Sequence, residues 1–336
     1  MSVKIAINGF GRIGRDFVRI ATQRGSDFEV VAVNNASATP ETIAHLFKYD
    51  SIFGRFPGEV YAKDSSIVIN GHEIRAYNIK DPKELPWKDL GVDIVFDSSS
   101  KYKEREKAIK HIEAGAKKVI ISAPATDEDI TIVMGVNDDK YNPQRDNIIS
   151  TASCTTNCLA PVADIIDRNF GIESGLMTTI HSYTQDQKIL DLNHKDLRRG
   201  RAAGLSMIPT TTGAAKALGK VLPQLQGKVN GYAMRVPTPD VSVVDVAFVL
   251  SRSTSKEEVN RVLKKACETY MQEALGYCDD PLVSVDFKGD THGGVVDALS
   301  TMVINGNMVK ILAWYDNEWG FTSQAVRLTE MVAKSL

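Results

Sequence analysis

The chain has 336 residues, enough for two domains with cores of their own, and its 43% hydrophobic and 24% charged content is ordinary for a globular protein. A net charge of −2 gives no electrostatic reason to expect nucleic acid or an acidic membrane surface as a partner, and no apolar run reaches the length of a bilayer span. Four cysteines without metal-ligand spacing argue against a metal site and for a reducing compartment, so the cytoplasm is expected.

The first expected strand is Val3 to Ile7. It runs into Gly9-Phe10-Gly11-Arg12-Ile13-Gly14 and then a helical segment with Phe17, Val18 and Ile20, leaving no room there for the apolar core of a signal peptide. A G-x-G-x-x-G loop between strand and helix is the context that a dinucleotide requires: Gly9 for the tight turn, Gly11 for backbone approach to pyrophosphate, Gly14 for helix–strand packing. The second strand, Glu29 to Val33, ends at Asn34-Asn35-Ala36-Ser37. An acidic residue near this point binds the ribose 2′-hydroxyl and repels a 2′-phosphate. The neutral Asn35, with Ser37 and Thr39, accepts a 2′-phosphate by hydrogen bonding, which favours NADP, alone or alongside NAD.

Further along, Ser66 to Ile69 and His72 to Ala76 read as a hairpin about Asn70-Gly71. Val92 to Phe96, Lys118 to Ser122, Thr131 to Met134 and Ile148 to Ser150 read as strands, and Lys103 to Ala114 as an amphipathic helix. Strands alternating with helices predict a doubly wound α/β sheet whose ligand contacts lie at the strand carboxyl ends, here Ser98, Ser99 and Ser122. This pattern fills a dinucleotide-binding domain over residues 1–151, on which a C-terminal helix over 318–336 is expected to pack.

A different domain follows over 152–317. Ser153 reads as the N-cap of an apolar helix through Leu159, Val162, Ile165, Ile166 and Phe170, which places Cys154 in the first turn, where free N–H groups and the helix dipole favour a thiolate. A lone cysteine is more often a small buried hydrophobe, and Cys158, one turn on, is read that way. Gly175 to Ser182 reads as a strand ending in His181-Ser182-Tyr183-Thr184. Gln185 to Ala203 is a long basic loop, suited to phosphate or to an interface. Thr210-Thr211-Thr212-Gly213-Ala214 offers hydroxyls and a glycine at a helix start, an anion cradle. Strands from Tyr232, Ser242 to Leu250, Val283 to Phe287, Ala298 to Ile304 and Met308 to Trp314, with a helix over Lys256 to Ala274, predict an α+β domain with a mostly antiparallel sheet.

Taken together, INGFGRIGR, LFKYDSIFGRF, ASCTTNCLAP, HSYTQDQ, HKDLRRGRAAG, IPTTTGAAKA, RVPTPDVSVVD and WYDNEWG resemble the phosphorylating glyceraldehyde-3-phosphate dehydrogenases from end to end. The resemblance implies a Rossmann-type nucleotide domain, Cys154 as nucleophile and His181 as general base. It implies Thr184 and Arg235 on the substrate phosphate, Ser153, Thr155, Thr212 and Gly213 around inorganic phosphate, and Arg199 serving the phosphate sites. Arg12 and Ile13 meet the pyrophosphate by backbone, Asn317 meets the nicotinamide carboxamide, and Lys80 lies among the adenine contacts. A homotetramer is implied as well, with the loop from about 182 to 204 reaching a neighbouring subunit's cofactor. Family members that use NAD usually carry Asp at Asn35 and Pro at Asn193, so both departures resemble NADP-accepting members.

The expected chemistry is attack of the Cys154 thiolate on an aldehyde, oxidation of the thiohemiacetal with His181 taking the hydroxyl proton, and cleavage of the thioester by inorganic phosphate. Three rivals stand beside it. Erythrose-4-phosphate dehydrogenase shares the fold, Cys and His, but the segment Thr211 to Lys216 resembles the triose enzyme. A Cys–His hydrolase needs no glycine loop, and a pure binding role leaves the intact site unexplained.

Overall fold

A computed structural model describes residues 2–336, which divide into two compact units. One takes residues up to 132, 140–152 and 325–336; the other takes 133–139 and 153–324.

The first unit contains β1 (Val3–Asn8), α1 (Arg12–Arg24), β2 (Phe28–Asn34), α2 (Pro40–Lys48), β3 (Tyr49–Asp50), β4 (Gly54–Arg55), β5 (Val60–Lys63), β6 (Ser66–Ile69), β7 (His72–Tyr77), α3 (Trp87–Leu90), β8 (Ile94–Asp97), α4 (Arg105–Glu113), β9 (Lys118–Ile121), β10 (Ile130–Thr131) and β11 (Ile148–Ser150). Nine strands form one sheet in the order β10-β11-β9-β8-β1-β2-β7-β6-β5. The strands from β10 to β7 run parallel, and the β5–β6–β7 edge is an antiparallel meander. Parallel strands are covered on both faces, which is why β8 and β9 are buried at every position. Strand order reverses at β1, so the crevice at its carboxyl end is the topological switch point. Helix α1 is fastened there by Phe17, stacked 4.3 Å from Phe96 and 5.8 Å from Phe28 between ring centroids. The hairpin turn at Asn70-Gly71 has φ of 48° and 82°, the left-handed pair that joins two strands in a tight turn.

A buried polar network sits behind that crevice. Asn34 Nδ2 donates to Asn8 Oδ1 at 2.8 Å, and Asn8 Nδ2 donates to Asp97 Oδ2 at 2.6 Å. Trp87 Nε1 donates to His111 Nδ1 at 3.1 Å, so the imidazole proton sits on Nε2, 3.2 Å from Asp97 Oδ2. Asp97 Oδ1 in turn receives the Ser99 amide and hydroxyl, fixing the turn after β8.

The second unit contains α5 (Cys154–Phe170), β12 (Ile172–Ser182), β13 (Ile208–Thr210), α6 (Ala214–Val221), β14 (Val229–Val236), β15 (Ser242–Leu250), α7 (Lys256–Glu268), β16 (Leu275–Cys278), β17 (Gly294–Ile304) and β18 (Met308–Tyr315); α8 (Trp319–Ala333) begins in it. The sheet order is β13-β14-β12-β15-β18-β17-β16, antiparallel except where β12 meets β14 and β16 meets β17. Helix α5 is buried over most of its length and lies in the core.

Three sequence expectations are corrected. Val283 to Phe287 alternates like a strand, but Ser284–Phe287 is a 3-10 turn closed by Asp286 Oδ2 accepting from the Val283 amide at 2.8 Å. The strand expected over Thr131 to Met134 is only β10, because Asn137 Oδ1 takes the Val133 amide and Asp138 Oδ1 the Gly135 amide, turning the chain. The helix expected to reach Ala274 stops at Glu268, where the Thr269 hydroxyl donates to the Lys265 carbonyl.

A β-carbon at Gly14 would lie 2.3 Å from the Gly9 carbonyl oxygen, whereas one at Gly11 meets nothing within 4 Å. Gly14→Ala is therefore expected to cost about 1–3 kcal/mol of stability, and Gly11→Ala less than about 1 kcal/mol. Denaturant unfolding checks the pair, and a comparable loss in both would remove the packing role assigned to Gly14.

Candidate active site

Cys154 opens α5 because Ser153 caps it: the Ser153 hydroxyl accepts from the Thr156 amide at 3.1 Å, with extended backbone at φ −112° and ψ 163°. Just before the cap, Ala152 adopts a left-handed φ of 58°, which turns the chain into the helix. His181 comes from the next-to-last position of β12. Its Nε2 lies 3.4 Å from Cys154 Sγ, within reach for proton transfer. The two residues singled out from the sequence thus meet, 27 positions apart in the chain.

Electrostatics around the pair differ from the expected resting thiolate. Burial pushes the Cys154 thiol up, and this outweighs the Arg235 charge and the Thr155 amide, which pull it down. Burial also drives His181 down to about 3, helped by the positive Arg235. Both groups therefore rest neutral. Arg235, across the parallel pairing of β12 with β14, places Nη1 2.7 Å from His181 Nδ1 and 2.9 Å from the Ser182 carbonyl. Nδ1 lies 2.7 Å from both Arg235 Nη1, which only donates, and the Ser182 carbonyl, which only accepts, so the ring proton sits on Nε2 when Nδ1 takes the Arg235 bond and on Nδ1 when it gives to Ser182. Arg235 Nε is buried with no partner, a donor held ready for an anion.

Tyr315, not anticipated from the sequence, lies edge-on to His181 with ring centroids 5.9 Å apart. Its hydroxyl bridges Thr155 Oγ1 at 2.9 Å and Thr179 Oγ1 at 2.7 Å, so the Thr155 hydroxyl is engaged there. Behind the histidine, the Ser182 amide donates to Ser242 Oγ at 3.0 Å, and Ser242 Oγ donates to Asn317 Oδ1 at 2.6 Å. The sequence reading gave these serines no role, although Ser182 lies in HSYTQDQ and Ser242 in RVPTPDVSVVD.

The remaining phosphate candidates are held differently. Thr184 starts the loop after β12, its amide donating to Gln187 Oε1 at 3.3 Å. Thr212 Oγ1 accepts from the Ala214 amide at 3.2 Å, and Gly213 is the N-cap of α6 without a side-chain cap. Arg199 is braced by Asp186 Oδ2 at 2.6 Å, Thr210 Oγ1 at 2.8 Å and the Thr211 carbonyl at 3.1 Å. It shapes the Thr210–Thr212 segment through those bonds. Cys158 is fully buried with its thiol pushed far up, a core residue.

In the first unit the glycine loop fits a dinucleotide. A β-carbon at Gly9 would lie 2.4 Å from the Ser99 amide nitrogen, and Gly9 has φ 95°, so only glycine makes this turn. Gly11 leaves open space at the N-terminus of α1, whose first turn lacks both a side-chain cap and an acidic residue. Ser98 Oγ donates to the Gly9 carbonyl at 2.6 Å and so holds the loop, and the Ser122 amide donates to the Asp97 carbonyl at 2.9 Å. The Arg12 side chain pairs with Asp50 at 2.9 Å. Asn35 Oδ1 accepts from Ser37 Oγ at 3.3 Å at the end of β2. Lys80 is exposed, its carbonyl taking the Tyr102 hydroxyl; Asn193 is exposed on the long loop of the second unit. Among the described residues no helix is long and apolar enough to cross a membrane, and no cluster of His, Cys, Asp and Glu suits a metal.

Comparison with known proteins gives concordant matches. Residues 3–105 match the family model for the glyceraldehyde 3-phosphate dehydrogenase NAD binding domain, and residues 153–317 the model for its C-terminal domain. The chain is 57% identical over 333 residues to glyceraldehyde-3-phosphate dehydrogenase of Geobacillus stearothermophilus, covering 99% of both chains. It is 55% identical to glyceraldehyde-3-phosphate dehydrogenase 2 of Bacillus subtilis, covering 99% of this chain and 97% of the other, and 53% identical to glyceraldehyde-3-phosphate dehydrogenase 2 of Streptomyces avermitilis over the whole of both.

The neutral burial of His181 has a measurable sign. Its folded pKa of about 3 lies below the unfolded value, so the unfolded chain binds more protons in the window between them. Stability is expected to fall on acidification from about pH 6.5, by up to about 1.4 kcal/mol per pH unit. Urea unfolding of the wild type and of His181→Gln across that window checks it: equal slopes would place His181 in a solvated, ordinary environment.

Proposed function

The chain belongs to the glyceraldehyde-3-phosphate dehydrogenase family, and on that premise we propose how its residues carry the phosphorylating oxidation of glyceraldehyde 3-phosphate to 1,3-bisphosphoglycerate with NAD(P). The 3.4 Å approach of Cys154 Sγ to His181 Nε2 carries the reading. The substrate phosphate draws Arg235 towards itself, assisted by Thr184, and Arg235 Nε meets its missing partner. Nδ1 then holds the imidazole proton against the Ser182 carbonyl, 2.7 Å away, and Nε2 faces Sγ bare. Nε2 takes the thiol proton as Sγ bonds to the aldehyde carbon and hands it to the new alkoxide oxygen, giving the thiohemiacetal hydroxyl and leaving Nε2 bare again. The thiohemiacetal oxygen lies against the Cys154 amide at the start of α5 and the His181 ring, which stabilise it. When bound, the nicotinamide supplies the hydride acceptor. His181 takes the hydroxyl proton in that oxidation, leaving a thioester on Sγ. Inorganic phosphate, received by Ser153, Thr155, Thr212 and Gly213 with Arg199 bracing the segment, attacks the thioester carbon and releases the acyl phosphate and the thiol.

The dinucleotide lies on the glycine loop, with Gly9, Gly11, Arg12, Ile13 and Gly14 at the pyrophosphate, Lys80, Ser98 and Ser122 towards the adenosine half, and Asn317 on the carboxamide. NADP is preferred to NAD, because Asn35 places no negative charge at the ribose and the exposed Asn193 replaces a residue that would exclude a 2′-phosphate. The enzyme works as a cytoplasmic homotetramer. Ile189, Leu190, Leu197, Leu205 and Met207 on the loop over 183–207, each at least 72% exposed in the single chain, support that assembly.

Cys154→Ser is expected to lower kcat/KM by about a thousandfold or more and to abolish the pre-steady-state burst of reduced cofactor in rapid-quench experiments. Activity near wild type would sink the nucleophile assignment. Asn35→Asp is expected to move the NADP-to-NAD ratio of kcat/KM towards NAD by about tenfold. Parallel titration of both cofactors measures it, and an unchanged ratio would place selectivity elsewhere.

A further inference from the structure

Two carboxyl groups meet inside the second unit. Ser242 at the start of β15 pairs in register with Tyr315 at the end of β18, so the residues just outside these strand ends, Asp240 and Asp316, are brought side by side. Asp240 is 6% exposed and Asp316 1%. Their side chains lie within hydrogen-bond reach of each other. Their other partners are unequal. Asp316 Oδ1 accepts the Glu318 and Trp319 amides at 2.9 and 2.7 Å, and its Oδ2 the Gly289 amide at 2.8 Å. Asp240 has no donor on either oxygen; only the adjoining Val241 amide is near, outside good geometry. The other charged group bearing on Asp240 is Glu318, again an acid. From the elements packed around Val241, Asp286 is occupied by the Val283 amide, Asp297 by Trp314 Nε1, and Lys288 ends the 3-10 turn.

Two buried carboxylates in contact, one of them without a donor, are satisfied when the donor-less one carries a proton and donates it to the other. Burial and the neighbouring Asp316 push Asp240 up to about 8, in line with that arrangement. The link to the active site is short. Val241 holds a left-handed φ of 64°, costly for a β-branched residue, and its carbonyl takes the Ser182 hydroxyl at 2.8 Å. Ser242 bonds Asn317, and Ser182 bears on His181.

We propose that Asp240 is a positioning residue: it is protonated at neutral pH, donates to Asp316, and by this bond holds Asn317 and the Val241–Ser242 turn in the geometry that cofactor binding uses. The proposal rests on the reading of Asn317 as the carboxamide ligand. Above about pH 8 the proton is lost, the two carboxylates repel, and the cofactor site loosens while the Cys154–His181 pair stays in place.

The experiment compares the wild type, Asp240→Asn and Asp240→Ala. Cofactor KM in the wild type is expected to rise about fivefold or more between about pH 7 and about pH 9.5, with a smaller change in kcat. Asp240→Asn keeps an N–H donor without a titration, so its KM stays low and flat with pH; Asp240→Ala has a raised KM throughout. Because the native state binds the extra proton, stability falls as pH rises through the window from about 4 to about 8, the folding equilibrium constant dropping up to tenfold per pH unit from this group, and Asp240→Asn loses that slope. If Asp240→Ala fails to fold, Asp240→Asn carries the test by itself. The same pH slopes in Asp240→Asn as in the wild type would overturn the proposal. Asn317→Ala separates the two readings. An unchanged cofactor KM there overturns the Asn317 assignment and with it the positioning role, whereas the unfolding slope judges the shared proton independently.

Discussion

The whole arrangement depends on one approach, that of Cys154 Sγ to His181 Nε2 at 3.4 Å. Two rigid elements set it. Helix α5 begins at the cysteine because Ser153 caps it, and its apolar length is buried in the core. Strand β12 is clamped on both sides, by β14 and β15, up to the histidine. A thiol on a helix start and an imidazole on a central strand have little freedom, which is what catalysis by proximity requires of the proposed nucleophile and base.

Burial does much of the electrostatic tuning. It overrides the helix end at Cys154 and keeps the thiol protonated at rest, and it keeps His181 neutral over the physiological range. The polar groups around the pair are accordingly tied in: Tyr315 to Thr155 and Thr179, Ser182 to Val241 and Ser242, Ser242 to Asn317. In a medium of low dielectric a satisfied network is rigid, and an unsatisfied donor stands out. Arg235 Nε stands out in this way.

Much of the fold was legible because its signals are local. A glycine loop between strand and helix, a serine before an apolar run and an Asn-Gly turn each act over a few residues. Cys154 and His181 were singled out because each sits at or near the end of such an element, whereas Arg235 entered only through the family resemblance. Tyr315, Ser182, Ser242 and Asp240 were not, since their roles come from strand register between distant segments. The same reason accounts for Arg199: its three bonds to Asp186, Thr210 and Thr211 depend on how the long loop folds back. Val283 to Phe287 shows the reverse error, where alternation suggested a strand and one aspartate cap closed a turn instead.

The seat of Arg235 on His181 Nδ1 has a consequence for discrimination. If Arg235 is the proposed phosphate ligand, an aldehyde of the right length but without its phosphate would leave the guanidinium on Nδ1, and with that bond made the ring proton is on Nε2. Such a compound fits the pocket yet leaves the Cys154 thiol without an acceptor for its proton. Unphosphorylated aldehydes would then be refused through slow turnover as well as weak binding, with the charged end of the right substrate acting as the key that sets the tautomer.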